Sequence, residues 1–476
     1  MLKNLWEGLS LEKILTLGQI AETCGARLEN CSFDKIVSDV VTDSRKVSEG
    51  SVFVALKGER FDGHSFVQTV LQQGAVCCVV DSSFENANNC AVLVVEDTFK
   101  ALREIAELYR SLFEVPSVAI TGSVGKTSTK DMIACVLENK FKVLKTQGNF
   151  NNEIGLPLTV FGMEKSHEIA VFEMGMSDFG EISRLTAIAK PHTAVLTNIG
   201  MSHIEHFGSQ ENIRKAKLEI IEGMNPDTGC VILNGDDSLL WEVSEKLGFE
   251  TLSYGIENRE CDIVAENIKK DSEGSSFDVK VDGEKYSVRV NTPGGHHIYN
   301  ALAAVLTGIR YGMSMKSIIE GIGNFVPQGL RQNIEVLDEY IIIRDCYNAS
   351  PTSMKSGLEV LSVTAPKNPD KPYRKVAVLG DMLELGEYSE TAHKSVGGMV
   401  CDYGADLLVA VGPNAENIAK GAAEKGFSSE YIKTFRDNAS AKEELLELLH
   451  NNDVILFKAS RGMKLEELAD FVAKKD

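Results

Sequence analysis

The stretch Ser117-Val-Ala-Ile-Thr-Gly-Ser-Val-Gly-Lys-Thr-Ser-Thr-Lys130 joins a predicted strand to a predicted helix through a turn that contains two glycines. The apolar run from Val115 to Ile120 indicates a buried strand, and apolar residues recur at helical spacing beyond the turn. The two glycines allow backbone N–H groups to surround an anion, Lys126 adds a positive charge, and the Thr127 hydroxyl can bind magnesium. The turn therefore predicts a nucleotide triphosphate site, although Ile120 stands where the usual motif begins with glycine. The alternative is a structural glycine turn.

The composition excludes several classes of protein. A chain of 476 residues with 43% hydrophobic and 25% charged residues predicts a globular protein of more than one domain. Its formal charge of -20 argues against nucleic acid or an anionic membrane as a partner, because a phosphate surface would be repelled. The 10 cysteines form no C-x-x-C pair, which favours a reducing compartment and no zinc site. Residues 1–10 lack the apolar segment of a signal peptide, so we expect a cytoplasmic protein without membrane insertion.

Three α/β domains are predicted. Residues 1–114 form a small N-terminal domain, residues 115–328 carry the βαβ rhythm of a parallel sheet around the phosphate turn, and residues 329–476 form a further Rossmann-like domain. Loops at the carboxyl ends of parallel strands hold the ligands in such folds, and each predicted strand of the third domain ends in polar residues.

Two polar residues follow strands of the central domain. Glu173 ends the run from Ile169, and the run from Thr193 leads to His203. Both strands should present these residues at the sheet edge that carries Lys126, which predicts magnesium ligands. A strand-end glutamate can equally cap a helix or pair with a lysine.

A helix is predicted over residues 211–222, and Lys217 lies within its apolar stripe. A lysine on an inward face needs a partner or a changed charge state, unless its stem runs along the surface and carries the ammonium to water. Residues 255–290 predict an antiparallel hairpin appended to the sheet. A helix follows, in whose first turns Asn300 could read a base edge or cap the helix.

Taken together, these motifs resemble the Mur ligases of bacterial cell-wall synthesis along essentially the whole chain. The resemblance rests on Thr121-Gly-Ser-Val-Gly-Lys-Thr127, Gln147-Gly-Asn-Phe-Asn-Asn-Glu-Ile-Gly-Leu-Pro157, Glu173-Met-Gly-Met176, Asn198-Ile-Gly-Met-Ser-His203, Ala216-Lys-Leu-Glu219, Gly329-Leu-Arg331, Asp345-Cys-Tyr-Asn-Ala-Ser-Pro351, Leu379-Gly-Asp-Met-Leu-Glu-Leu-Gly386 and Lys458-Ala-Ser-Arg-Gly-Met463. The stretch from 147 to 157 is similar to that of the family member that adds D-alanyl-D-alanine. One departure is His296-His297, where the family usually has His-Asn.

The resemblance implies an ATP- and magnesium-dependent ligase. It would join D-alanyl-D-alanine to UDP-N-acetylmuramoyl-tripeptide through an acyl phosphate, in the last cytoplasmic step of pentapeptide precursor synthesis. The third residue of the tripeptide can be lysine or diaminopimelate, and we expect a monomer. The alternatives are a related amide ligase that adds a different amino acid and a non-enzymatic ATP-binding scaffold. The stretch from 147 to 157 argues against the first, and the presence of Lys126, Glu173 and Lys217 argues against the second.

The resemblance also implies a role for individual residues. The predicted ATP-binding residues are Thr121, Gly122, Ser123, Val124, Gly125, Lys126, Thr127, Ser128, Asn300, Arg331 and Asp345, of which Asn300 would lie at the adenine, Arg331 at a phosphate and Asp345 at the ribose. The predicted catalytic residues are Lys126, Glu173, His203, Lys217 and Arg331. Metal ligands would be Thr127, Glu173, His203 and Lys217, the last as a carbamate. The predicted substrate-binding residues are Ser44, Arg45, Asn149, Asn151, Asn152, Asn348, Ser460 and Arg461, and the loop from Lys57 to His64 belongs to the UDP-sugar region.

Overall fold

The computed structural model describes residues 11–12, 15–59, 61–327 and 329–474. The first ten residues, on which the signal-peptide interpretation rests, lie outside the described residues. So do Arg60, in the loop from Lys57 to His64, and Gln328, at the predicted domain boundary.

The chain forms two compact units. One comprises the described residues of 1–121, 141–195 and 216–231, and the other those of 122–140, 196–215 and 232–476. The three-domain boundaries at 114 and 328 stay a prediction.

The N-terminal part contains a five-stranded sheet. The elements of this part of the chain are β1 (Leu15–Thr16), α1 (Leu17–Thr23), β2 (Arg27–Glu29), β3 (Ile36–Val37), β4 (Asp39–Val41), β5 (Ser51–Val54), α2 (Val67–Gln72), β6 (Cys77–Asp81), β7 (Val92–Val95) and α3 (Thr98–Ser111). Strands β1 and β3 pair with each other in a separate two-stranded sheet. The strand order is β2-β7-β6-β5-β4, with β2 antiparallel and the other pairs parallel. Asp97 caps α3 by accepting from the amides of Phe99 and Lys100, which explains why that helix begins where it does.

The middle of the chain forms a seven-stranded sheet. Its elements are β8 (Ser117–Thr121), α4 (Lys126–Glu138), β9 (Val143–Lys145), α5 (Gly155–Phe161), β10 (Ile169–Glu173), α6 (Glu181–Ala189), β11 (Thr193–Leu196), α7 (Ile204–Phe207), α8 (Gln210–Leu218), β12 (Cys230–Asn234), α9 (Ser238–Trp241), β13 (Glu250–Gly255) and β14 (Ile263–Val264). The strand order is β14-β13-β12-β11-β8-β10-β9. Glu173 in β10 is in register with Ile120 in the parallel strand β8, so Glu173 ends at the edge where the phosphate turn begins.

Two details of this region differ from expectation. The predicted hairpin is a separate three-stranded sheet of β15 (Glu266–Lys270), β16 (Ser275–Val281) and β17 (Glu284–Val290), because β15 also pairs with β16. It is followed by α10 (His296–Arg310) and α11 (Met315–Gly323). The helix predicted over 211–222 runs as α8 to Leu218 and continues as a 3-10 turn from Glu219 to Ile221.

The C-terminal part is a six-stranded sheet with helices between its strands. Its elements are β18 (Asn333–Val336), β19 (Ile341–Arg344), α12 (Pro351–Val363), β20 (Lys375–Gly380), α13 (Ser389–Asp402), β21 (Leu407–Val411), α14 (Ala415–Glu424), β22 (Ile432–Phe435), α15 (Asn438–Leu448), β23 (Val454–Lys458) and α16 (Glu466–Ala473). The order is β18-β19-β23-β20-β21-β22, and only β18 is antiparallel to its neighbour. The apolar strands β19, β20, β21 and β23 are buried, as expected for a parallel sheet covered by helices.

Candidate functional site

The phosphate turn adopts a backbone that requires glycine. Gly122 has φ +151 and Gly125 has φ +87, and a Cβ on Gly122 would overlap the Thr197 hydroxyl. Gly125 is the residue before α4, so the first amides of this helix open onto the turn. The glycine pattern therefore has the geometric cause that the sequence predicted.

Asn198 holds the turn in place. Its Oδ1 accepts from the Val124 amide at 3.0 Å, its Nδ2 donates to the Val124 carbonyl at 2.9 Å, and its own carbonyl accepts from the Ser123 amide at 2.9 Å. Thr197 Oγ1 also donates to the Val124 carbonyl, at 2.7 Å. The amides of Ser123 and Val124 are thus used inside the protein. The amides left to face an anion are those that follow, at the start of α4, and phosphate binding by the turn stays a prediction.

Lys126 and Thr127 begin that helix. Lys126 Nζ donates to the carbonyls of Gly122 at 2.8 Å and Ser123 at 3.4 Å, so the ammonium folds over the turn. Thr127 Oγ1 is buried without a hydrogen-bond partner. A buried hydroxyl oxygen of this kind is costly unless a ligand completes it.

A cavity of about 630 Å³ opens beside the turn, within the same compact unit. Its walls include Val124, Asn198, Asn300, Arg331, Asp345 and Lys458. Three of the predicted ATP-binding residues outside the turn, Asn300, Arg331 and Asp345, therefore share one cavity with it.

Asn300 does not cap α10, whose N-cap is Gly295. Its Oδ1 accepts from the Thr129 hydroxyl at 2.9 Å, and its Nδ2 lies 3.3 Å from His297 Nδ1. Burial lowers the pKa of His297 well below its usual value, and the neighbouring His296 lowers it further. His297, at the position where the family has asparagine, lies inside the protein 3.2 Å from Gln332 Oε1.

Three charged residues in the cavity lining, Arg331, Asp345 and Lys458, make contacts within the protein. The Arg331 guanidinium lies over the Tyr347 ring, 4.0 Å from its centroid, which keeps the planar group in a fixed orientation. Asp345 Oδ2 accepts from Lys458 Nζ at 2.6 Å, and both residues are buried.

A second cavity of about 110 Å³ contains another group of predicted residues. Its lining includes His203, Asn348, Ser460, Arg461 and Glu384. His203 Nδ1 lies 2.5 Å from a Glu384 carboxylate oxygen, and Arg461 pairs with Glu466 at 2.8 Å. Ser460 Oγ accepts from the Leu383 amide at 2.9 Å. Three of the predicted substrate-binding residues thus line the same cavity as the predicted metal ligand His203.

Glu173 belongs to the other compact unit and is fully buried at the end of β10. Its Oε1 accepts from Asn151 Nδ2 at 2.7 Å, whereas its Oε2 has no hydrogen-bond partner. Thr121 is also buried, and its hydroxyl donates to the Met174 carbonyl at 2.9 Å. Among the described residues, no three His, Cys, Asp or Glu side chains come together as a metal cluster.

The remaining predicted residues have varied surroundings. Asn152 Oδ1 accepts from the amides of Ile154 and Gly155, so it shapes the start of α5, and Asn149 is exposed. Lys217 is 2% exposed, as its place in the apolar stripe predicted. Ser44 begins a short 3-10 helix, and Arg45 pairs with Asp43 through two hydrogen bonds that lower the pKa of that carboxyl group.

The sequence reading assigned no role to four residues of the two cavities. They are Asn198, Asp236, Glu384 and Lys458. The Asp236 carboxylate accepts from three successive amides, those of Ile256, Glu257 and Asn258, and from the Tyr299 hydroxyl. Two signals were available: Asn198, Glu384 and Lys458 lie in the family motifs quoted above, and Asp236, Glu384 and Lys458 follow or end strands, as ligand-binding residues do.

Comparison with known proteins identifies the family. Residues 37–110 match the Mur ligase family catalytic domain, residues 120–308 the Mur ligase middle domain, and residues 332–461 the Mur ligase glutamate ligase domain. The chain therefore belongs to the Mur ligase family. Over 456 residues it is 39% identical to the UDP-N-acetylmuramoyl-tripeptide–D-alanyl-D-alanine ligase of Bacillus subtilis (strain 168), covering 95% of this chain and 97% of that protein.

Solved structures share the fold along the whole chain. MurF from Acinetobacter baumannii superposes with a TM-score of 0.88 at 30% identity and covers 98% of this chain and 100% of its own. MurF ligase from Thermotoga maritima in complex with ADP has a TM-score of 0.79 at 30% identity, and the match covers 92% of this chain and 97% of that one. The predicted fold class is confirmed as a three-domain α/β fold with a central parallel sheet and a C-terminal Rossmann-like sheet.

Proposed function

We propose that this chain is an ATP-dependent ligase that joins D-alanyl-D-alanine to UDP-N-acetylmuramoyl-tripeptide. The observation that carries the proposal is the cavity of about 630 Å³, which the phosphate turn, Asn300, Arg331 and Asp345 line together. By resemblance the turn and Arg331 would contact phosphates, Asn300 the base and Asp345 the ribose, so the one cavity offers a partner to each part of ATP. The similarity to ligases of this name extends over nearly the whole chain, which supports the choice of substrates.

Magnesium fits two buried oxygens. Thr127 Oγ1 and Glu173 Oε2 are each buried without a hydrogen-bond partner, and hydroxyl and carboxylate oxygens are ligands that magnesium accepts. We propose Thr127 and His203 in one compact unit, and Glu173 and Lys217 in the other, each as a magnesium ligand. Since the described side chains provide no cluster of three acidic or imidazole ligands, ATP phosphates and water would complete the coordination. Magnesium bound there would supply positive charge that offsets the charge of the transferred phosphoryl group.

Lys217 would serve as a carbamate. Its burial disfavours the ammonium form, and the neutral amine adds carbon dioxide to give a carbamate and a proton. The carbamate carries one negative charge shared by two oxygens and so can bind a cation, which an ammonium would repel.

The reaction needs ATP because a carboxylate is a poor acyl donor. A carboxylate oxygen of the tripeptide attacks the γ-phosphorus, and the bond to ADP breaks. The amine of D-alanyl-D-alanine then attacks the acyl carbon, phosphate leaves, and the nitrogen loses a proton. Lys126 and Arg331 would stabilise the negative charge that gathers in both steps.

The two peptide substrates need separate sites. We assign the UDP-sugar end to Ser44, Arg45 and the loop from Lys57 to His64, and the peptide chain to Asn149, Asn151 and Asn152. The dipeptide suits the smaller cavity, where Arg461 can pair with its carboxylate and Asn348 and Ser460 offer hydrogen bonds.

No helix in the described part of the chain is long and apolar enough to span a membrane. A cytoplasmic location and a monomeric state are part of the proposal.

The test is phosphate release from ATP with the complete substrate set and with each substrate omitted. We expect release only when UDP-N-acetylmuramoyl-tripeptide and D-alanyl-D-alanine are both present, with the pentapeptide product detected by mass. Parallel assays with the lysine and the diaminopimelate tripeptides identify the third residue. Release with a single amino acid in place of the dipeptide would favour the alternative of a related amide ligase. A Lys126→Ala variant should lose ligation and still bind the UDP-tripeptide in calorimetry.

A further inference from the structure

We propose that Lys458 is a positioning residue for nucleotide recognition, which holds the Asp345 carboxylate so that it accepts from the ribose hydroxyls of the nucleotide. The inference rests on the proposed function, because it takes the larger cavity to be the ATP site. It assigns a role to a buried cation that the reaction steps above do not use.

The topology brings the two residues together. Strands β19 and β23 are parallel neighbours, and Arg344 at the end of β19 is in register with Phe457 in β23. The next residues, Asp345 and Lys458, therefore lie side by side at the carboxyl ends of the strands. The Asp345 amide also donates to the Phe457 carbonyl at 2.9 Å, which locks this register.

Lys458 uses its ammonium within the protein. Nζ donates to Asp345 Oδ2 at 2.6 Å, to the Asn348 carbonyl at 3.2 Å and to the Asp345 carbonyl at 3.5 Å. An ammonium has three protons, so these contacts match its full donor capacity. Lys458 is 1% exposed and Asp345 is 8% exposed, so this charge pair sits in a low-dielectric environment where its geometry is strongly enforced.

The contact with Lys458 gives the two carboxylate oxygens of Asp345 different roles. Oδ2 is held by Lys458, and both residues line the cavity. Oδ1 remains as the oxygen that can accept from a ligand hydroxyl. The contact to the Asn348 carbonyl fixes the rest of the loop, including Tyr347, on whose ring the Arg331 guanidinium lies. Lys458 thus orients Asp345, which is expected at the ribose, and supports Arg331, which is expected at a phosphate.

A glycine in α12 supports this reading. A Cβ on Gly357 would lie 2.9 Å from Lys458 Cδ and 3.5 Å from Asp345 Oδ2. Glycine in a helix interior is less stable than alanine, so its presence needs a packing reason. The close approach of the Lys458 side chain is that reason. Helix α12 packs against Lys458 and Asp345 and limits their movement.

The test compares ATP with 2′-deoxy-ATP and 3′-deoxy-ATP, by calorimetric affinity and by KM. We expect the unaltered protein to bind ATP about tenfold or more tightly than at least one deoxynucleotide, since a charge-assisted hydrogen bond is lost. In Lys458→Met this preference should fall to about twofold or less, while KM for the UDP-tripeptide stays within about twofold, because Lys458 contacts Asp345 and Asn348 and none of the residues assigned to the UDP-tripeptide.

Arg374→Met is the matched control. Arg374 pairs with the buried Asp453 at 2.7 Å, at the opposite end of the same sheet. Breaking either pair leaves a buried carboxylate without its partner and should lower the melting temperature. Only the change at Lys458 should remove the ribose preference.

Gly357→Ala provides a second route if Lys458→Met fails to fold. It keeps both charges and displaces the lysine stem, so it should also reduce the ribose preference. Gly398→Ala in α13 is its control, because a Cβ there meets only Lys425 Cδ at 3.4 Å.

The outcomes separate the inference from the proposed function. A preference that survives in both Lys458→Met and Gly357→Ala, with ATP and deoxynucleotides weakened equally, would overturn the positioning role. An unaltered protein that forms product without any ribose preference would also overturn it and leave the ligase assignment intact. Failure of the unaltered protein to form product contradicts the proposed function, while the calorimetric comparison still decides the role of Lys458.

Discussion

Asn198 should control ATP affinity through the conformation of the phosphate turn. Its side-chain amide makes two hydrogen bonds with the backbone of Val124, at 3.0 and 2.9 Å, and so holds the phosphate turn in its shape. Asn198→Ala removes both. Each hydrogen bond contributes about 0.5–1.5 kcal/mol net, so about 1–3 kcal/mol is lost.

That cost should appear in ATP affinity, because the turn must be ordered again when the nucleotide binds. A loss of about 1–3 kcal/mol corresponds to roughly fivefold to more than a hundredfold weaker binding. Calorimetry with ATP measures it directly, and KM for the UDP-tripeptide should change little. Asn198→Asp should be worse than alanine, since an oxygen would replace the donor that faces the Val124 carbonyl.

The matched control is Asn86→Ala. Asn86 pairs in the same way with the backbone of Cys90, at 2.7 and 3.1 Å, in the N-terminal sheet region. It should lower stability and leave ATP affinity unchanged. If Asn198→Ala lowered stability as much as Asn86→Ala and bound ATP normally, the argument that the turn is preorganised by Asn198 would be refuted.

Three further changes test other parts of the site and the fold. Gly122→Ala should abolish ATP binding, because its Cβ overlaps the Thr197 hydroxyl. The control Gly58→Ala, whose Cβ has only a carbonyl 4.0 Å away, should bind ATP normally. Equal ATP affinities of the two variants would contradict the prediction. Lys217→Arg keeps a positive charge but cannot form a carbamate, so ligation should fall to background, and full activity would show that Lys217 acts as a cation. Burial raises the pKa of Asp39 from 3.8 to about 6, so the folded protein binds this proton more tightly than the unfolded chain. The stabilising contribution of the protonated Asp39 is complete below about pH 4 and is lost as the pH rises to about 6. Asp39→Asn should therefore raise the melting temperature at pH 7 more than at pH 4. An equal rise at both pH values would show that Asp39 does not titrate in this range.

Local features of the fold could be read from the sequence because their causes lie within a few residues. Apolar runs of five or so residues gave the buried strands β8, β10 and β23, since a strand covered on both faces needs no alternation. The phosphate turn was recognisable for the same reason, because strand, glycines, lysine and helix are contiguous.

Part of the candidate site was also predictable from position. Parallel strands deliver their carboxyl ends to one edge, so the polar residues after β10 and β19 were expected near ligands. The burial of Lys217 followed from helical spacing. The order of these motifs along the chain, rather than any one of them, indicated the family.

Pairing between distant residues was decided only by the tertiary structure. Asn198 holds Val124 across 74 positions, and Lys458 holds Asp345 across 113. The third strand of the β15–β17 sheet and the contact of Asn300 with Thr129 belong to the same class. A side chain's hydrogen-bonding capacity is a local property, but its partner depends on strand register and on which helices pack together. Those are set by the burial of the whole chain, and no segment contains that information by itself.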